Sequence, residues 1–288
     1  MAVRQRSRMP AKIKFQRMKS FQRMKIDFVW MLTAGFYFTG GAQNPETPPV
    51  FTHQYSLRGS LNPERAYNVL KYDISVKPDY ASRSLTAKNS ITYLDSGLQY
   101  MQIDLQEPLE IDSIIQNNRK LFYKREGNVF HVYVGDSVNK KKVCVSCPQE
   151  ITIYYQGHPH IAVKPPWDGG WVFTKDSLGR PWMSVACEGT GASIWYPCKD
   201  YLGDEPDSGA VLSITAPDSL VAIGNGRLQG ILQNGNGSKT WKWEVKNPIN
   251  NYDIIPYIGK YTGWHSDYAG EKGNLDCDFW VLDYQLRA

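Results

Sequence analysis

The sequence predicts an all-β fold, an antiparallel β-saddle or sandwich, on three observations. From Tyr67 onward apolar residues recur with a period of two rather than 3.6. Turn-forming clusters cut the chain into short runs: Lys77-Pro78-Asp79, Asp95-Ser96-Gly97, Glu126-Gly127-Asn128 and Asn234-Gly235-Asn236-Gly237. The 18 tyrosines and 9 tryptophans suit a half-buried pleated surface, where wide rings pack against neighbours on one face.

Taken in order, residues 1–42 read as a signal peptide. A basic head is followed by the apolar run Ile26 to Phe38, which Asp27 interrupts, and by small residues at Gly40 and Ala42. Cleavage after Ala42 would export the chain to a periplasmic or extracellular compartment. A basic tail ahead of a buried strand is the other reading. The apolar run is too short to cross a bilayer comfortably, so no stable membrane span is expected after cleavage. Residues 43–61, with Pro45, Pro48 and Pro49, read as a linker, and residues 62–288 as the β-domain.

Asn62-Pro63-Glu64-Arg65-Ala66-Tyr67 predicts one or two helical turns leading into the first strand. Leu70, Tyr72, Ile74 and Val76 alternate with polar residues, as in a strand with one wet face. The beat returns at Leu85/Ala87 with Ile91/Tyr93, at Met101/Ile103/Leu105 and at Phe130/Val132/Val134. It continues at Ile151/Ile153/Tyr155, Leu212/Ile214/Ala216 and Trp243/Val245, with a hairpin joining Ile231-Leu232 to Trp241. From Pro165 to Pro206 the rhythm stops, and Trp, Gly, Pro and acidic residues crowd into what reads as a functional loop edge.

The formal charge of +5 belongs to the head. Nine of the 33 basic side chains fall in residues 1–25, which leaves 24 bases against 27 acids beyond residue 42, a net of −3. A domain of that charge lacks the basic footprint of a nucleic-acid binder. Of the five cysteines, Cys144 and Cys147 form a lone Cys-x-x-Cys with no second pair to complete a thiolate site. They read as ordinary strand and turn residues. Whether Cys187 and Cys198 pair stays open.

The chemistry concentrates in Cys187-Glu188-Gly189-Thr190-Gly191-Ala192-Ser193-Ile194-Trp195-Tyr196-Pro197-Cys198-Lys199-Asp200, followed by Asp204-Glu205-Pro206. A carboxylate before a glycine bend could take an ammonium group by a charge-assisted hydrogen bond. Residue types alone equally allow Glu188 and Asp200 to be solvated or capping acids.

This segment resembles the aminopeptidase N family of zinc metallopeptidases, which includes the leukotriene A hydrolases. Its amino-terminal β-saddle carries Cys-(Gln/Glu)-x-x-x-x-(Arg/Ser)-x-x-x-Pro-Cys-x-Asp, which falls here on Cys187, Glu188, Ser193, Pro197, Cys198 and Asp200. Tyr67–Val76 is similar to the family's opening strand, and Tyr252–Tyr261 to a strand near the domain's close. The spacing from Trp195 through Glu205-Pro206 resembles a Bacteroidetes-type branch.

The resemblance implies that Glu188 holds the free amino group of a peptide, with Trp195 and Tyr196 nearby. It also implies an aminopeptidase catalytic domain as partner. That domain would supply the zinc through His-Glu-x-x-His, along with Gly-x-Met-Glu-Asn, and neither motif occurs in these 288 residues. His53, His131, His158, His160 and His265 build no such site, and Pro159 excludes a helical pair at His158 and His160. The expectation is therefore a non-catalytic fragment or truncated product with no cofactor of its own. The alternative is a secreted β-sandwich that binds protein or carbohydrate through Trp167, Trp171, Trp182 and Trp195.

Overall fold

The computed structural model describes residues 59, 61–95, 97–135 and 147–286, which belong to one compact unit, Val50–Ala288. The expected signal peptide, the linker apart from Gly59 and Leu61, and Cys144 lie outside the described residues. The strands run β1 (Tyr67–Asp79), β2 (Ser84–Asp95), β3 (Tyr100–Asp104), β4 (Glu110–Gln116), β5 (Arg119–Lys120) and β6 (Tyr123–Glu126). Next come β7 (Val129–Tyr133), β8 (Gln149–Gly157), β9 (Gly170–Lys175), β10 (Pro181–Ala186), β11 (Ala210–Pro217) and β12 (Val221–Ile223). The last are β13 (Arg227–Gln233), β14 (Ser238–Val245), β15 (Tyr257–Gly259), β16 (Tyr261–Gly270) and β17 (Gly273–Leu282).

An eight-stranded sheet has the order β13-β14-β11-β1-β2-β8-β4-β5. A four-stranded sheet (β12-β15-β10-β9), a three-stranded one (β3-β7-β6) and the β16–β17 hairpin complete the fold. Pairing is antiparallel, as expected, except between β1 and β11, which run parallel with Tyr72 opposite Ala210. Among the described residues the helical elements are four 3-10 turns. The first, Pro63–Arg65, is the turn the sequence predicts, capped by Asn62, whose side chain accepts from the Glu64 N–H.

The period of two survives in the burial pattern, with one correction. In β1, Tyr72, Ile74 and Val76 face the core, but Leu70 does not. Val69 pairs with Tyr93 and Lys71 with Thr92, so Leu70 is the extra residue of a bulge. A bulge switches which alternate residues face inward, and Tyr67 and Val69 are buried ahead of it. The Ile231–Trp241 hairpin forms as expected. One core cluster joins the large sheet (Ile74, Ile91, Ile153) to β3 and β7 (Met101, Ile103, Phe130) and to Trp171 of β9. In β3 the alternate residues Gln102 and Asp104 are also fully buried, so beyond Tyr100 that strand has no wet face.

Cys147 is disulfide-bonded, whereas Cys187, Cys198 and Cys277 are free thiols. Among the described residues no helix is long and apolar enough to cross a membrane.

Candidate functional site

The segment between β10 and β11 forms the site, and its shape follows from its glycines. After Ala186 the chain turns at Cys187, whose carbonyl accepts from the N–H groups of Thr190 (3.2 Å) and Gly191 (2.9 Å). Gly189 and Gly191 sit at φ +66° and +78°, a region that strains other residues. The turn pushes Glu188 to the surface. Among the described residues no hydrogen bond or ion pair engages its carboxylate.

The rest of the motif is scaffold. Asp200 Oδ2 accepts from Ser193 N (3.2 Å) and Ser193 Oγ (2.6 Å), closing the Ala192–Ile194 turn. Cys198 pairs backbone to backbone with Asp104, at 2.8 and 3.0 Å, and the Pro197 carbonyl accepts from Asn89 Nδ2 at 2.8 Å. Asp104 Oδ2 takes the Asp200 N–H (2.9 Å) and ion-pairs with Arg65 (2.5 Å), both side chains being fully buried. Gln102 Nε2 donates to the other Asp104 oxygen at 3.0 Å. Burial pushes the Asp104 carboxyl up, and the Arg65 guanidinium, Gln102 and the Asp200 N–H pull it back. Lys199 Nζ donates to the Tyr67 carbonyl (2.5 Å) and pairs with Asp204 (2.5 Å).

A cavity of about 510 Å³ opens on this scaffold. Cys187, Glu188, Gly189, Gly191 and Asp200 line it together with Gly59, Tyr201, Leu202 and Tyr252. Among the described residues two carboxylates, Glu188 and Asp200, line it, and a carboxylate can take a small cation such as an ammonium group. Burial pushes the Cys187 thiol up to about 12, which disfavours its thiolate, and burial likewise raises Cys198. A protonated thiol is neither a nucleophile nor a metal ligand.

The residues the sequence singles out therefore separate. Cys187, Glu188 and Asp200 meet at the cavity, while Ser193, Pro197 and Cys198 are buried supports. Glu205 is exposed and away from the cavity lining, and the neighbouring Asp204 is the acid that turns inward. Trp195 and Tyr196, expected beside the ligand, are fully buried. Trp171 and Trp195 pack edge to face with ring centres 6.1 Å apart, so the four tryptophans make no continuous exposed surface. Arg65, Asp104, Leu202 and Tyr252 escaped sequence reasoning. In β3 the alternation Gln102, Asp104 mimics a wet face, so periodicity gave no signal for the buried ion pair.

Solved structures share this architecture. The M1 zinc metallopeptidase of Deinococcus radiodurans superposes with a TM-score of 0.60 at 17% identity, covering 74% of this chain and 47% of its own. A mutant of that enzyme bound to a Tyr-Ser-Ala substrate gives 0.61, again at 17% identity, with 75% and 48% covered. A mutant two-domain M1 zinc metallopeptidase bound to L-arginine gives the same values. The likeness is one of fold. The chain spans about half the length of the structures it matches. No family model and no curated protein matches the sequence.

The donor set bears on zinc. Among the described residues one cluster of ligating side chains, His265 with Asp276 and Asp278, lies exposed on the β16–β17 hairpin. Arg227 pairs with both acids at 3.3 and 3.1 Å, which leaves a neutralised surface group rather than a catalytic zinc centre. Asp278 accepts from His265 and, with its neighbouring acids, raises the imidazole above its ordinary 6.5. The protonated imidazole is thus favoured in the folded hairpin. Its contribution is complete below 6.5 and fades as pH rises through the elevated value. An NMR titration should place His265 above 6.5, and Asp278→Asn should bring it down. An unchanged value in the variant would refute the pairing.

Proposed function

We propose that this chain is the non-catalytic, amino-group-recognising domain of an exported zinc aminopeptidase, with Glu188 accepting the ammonium of a peptide's first residue. The observation that carries the reading is an exposed carboxylate, engaged by no hydrogen bond or ion pair among the described residues, that lines a cavity with a second acid, Asp200. Its support is a fold shared with half of an M1 zinc metallopeptidase. In this reading the zinc and the peptide-cleaving step belong to a separate catalytic domain, since neither His-Glu-x-x-His nor Gly-x-Met-Glu-Asn occurs in the sequence. The task of this chain is orientation: an ammonium held at a fixed point sets which peptide bond a partner's catalytic groups can reach.

The rigidity of the bend matters to that task. Glu188 stands on a turn closed by two backbone hydrogen bonds, so the carboxylate is presented at little entropic cost on binding. A charge-assisted hydrogen bond contributes roughly 1.5–3 kcal/mol, so Glu188→Gln should weaken binding of phenylalanine amide by about 10- to 100-fold. Calorimetric titration of the chain measures this. Equal affinity for the amide and its N-acetyl derivative would sink the reading.

A further inference from the structure

We propose that Gln106, just after β3, is a positioning residue for Glu188, its side-chain amide holding the bend on which that carboxylate stands. This rests on the reading of Glu188 above and deepens it. Thr190 sits between Gly189 and Gly191, the two positive-φ residues of the bend. Glycine on both sides leaves a bend free to swing unless the residue between is fixed. Thr190 is fixed three ways. Its N–H closes the bend on the Cys187 carbonyl, and a Cβ placed on Gly169 would collide with its side chain, which therefore seats against bare backbone. Its carbonyl accepts from Gln106 Nε2 at 2.6 Å.

The chemistry of the contact calls for glutamine. Gln106 Nε2 also donates to Ser193 Oγ at 2.9 Å. The one hydroxyl proton of Ser193 goes to Asp200 Oδ2, so its oxygen accepts from Gln106, and the Thr190 carbonyl has nothing to donate. The position needs two donors on one head group, which a primary amide nitrogen carries. A glutamate of the same shape would set acceptors against acceptors. The brace is itself anchored. The Gln106 N–H donates to the Ser193 carbonyl at 2.9 Å. On either side of it, the Leu105 N–H donates to the Asn128 carbonyl (3.0 Å) and the Glu107 N–H to Asn128 Oδ1 (2.9 Å).

Glu188 lies two residues from Thr190, and its place at the cavity follows the backbone of the bend. Around Gly189 the surroundings offer no second stop, since an added Cβ there would meet nothing within 4 Å. Releasing Thr190 therefore leaves the carboxylate to be ordered when the ligand arrives, and that ordering takes part of the binding free energy. Gln106 acts on the ligand only through Glu188.

The test is a double-mutant cycle of Gln106→Ala with Glu188→Gln. It is read by urea denaturation and by calorimetric titration with phenylalanine amide and its N-acetyl derivative. Gln106→Ala should weaken binding of phenylalanine amide by about 3- to 10-fold in the parent chain. Beside Glu188→Gln it should weaken binding by less than about twofold, because the group it positions is gone. Its loss of stability, by contrast, should be the same in both backgrounds, and Gln106→Glu should reproduce the pattern because its oxygens cannot donate. An equal loss of affinity in both backgrounds, or none in either, with binding still lost on acetylation, overturns the positioning role and leaves the Glu188 reading standing. Binding by the parent chain that ignores acetylation overturns the Glu188 reading instead, and no binding of the amide by the parent chain overturns both.

Discussion

Asp104→Ala is expected to lower the unfolding free energy by about 3–5 kcal/mol, read from urea denaturation. That is a large part of the 5–15 kcal/mol or so that holds a typical domain together. Asp104 and Arg65 are both fully buried, and a guanidinium does not shed its proton. Removing the carboxylate takes its buried counter-ion from that charge and the acceptor from the Asp200 N–H and Gln102. Replacing both partners with apolar groups (Arg65→Met with Asp104→Leu) should recover much of the loss, since no charge is then left buried. Recovery stays incomplete, because the Asp200 N–H still lacks its acceptor. A double variant as unstable as Asp104→Ala would show that the ion pair is not what the site depends on.

Trp195→Ala should cost a further roughly 3–5 kcal/mol in its own right, the range for deleting a large buried ring. The indole is fully buried, with ring centres 4.7 Å from Tyr196 and 6.1 Å from Trp171. Its Nε1–H is buried and finds no acceptor among the described residues. An unpaired buried donor costs about 1–3 kcal/mol, so Trp195→Phe loses ring volume but removes that penalty. The phenylalanine variant should therefore retain well over half of the stability that alanine loses. Were Trp195 part of a ligand-binding surface, as the binding-module alternative requires, alanine would change affinity and leave the denaturation midpoint in place.

Local rules reached much of this fold. Strands β2, β8 and β11 carry clean alternation, and Asn234-Gly235-Asn236-Gly237 marked the β13–β14 turn. Leu70 defeated the rule because a bulge depends on the partner strand, not on the residue bulged. The β16–β17 hairpin went unnoticed because its outward ring pair, Trp264 stacked on Phe279, sits on an exposed face rather than against the core. At the site, the Cys187–Asp200 spelling located the cavity but not the division of labour within it. Glu205 and Asp204 differ by one position and one methylene, and only the buried amine of Lys199 decides which turns inward. Leu202 and Tyr252 lie 50 positions apart, and no periodic pattern links residues joined through a side-chain amide.

The parallel pairing of β1 with β11 sets a timetable for synthesis. Strand β2 can zip onto one edge of β1 soon after both leave the ribosome. The other edge waits for Ala210 and its neighbours. At about 5–20 residues per second the interval is roughly 7–26 seconds, and for that time β1 shows an open row of backbone donors and acceptors. The newborn chain is most prone to sticking to its neighbours in that window, before the loop segment bearing Glu188 has been closed between its two flanking strands.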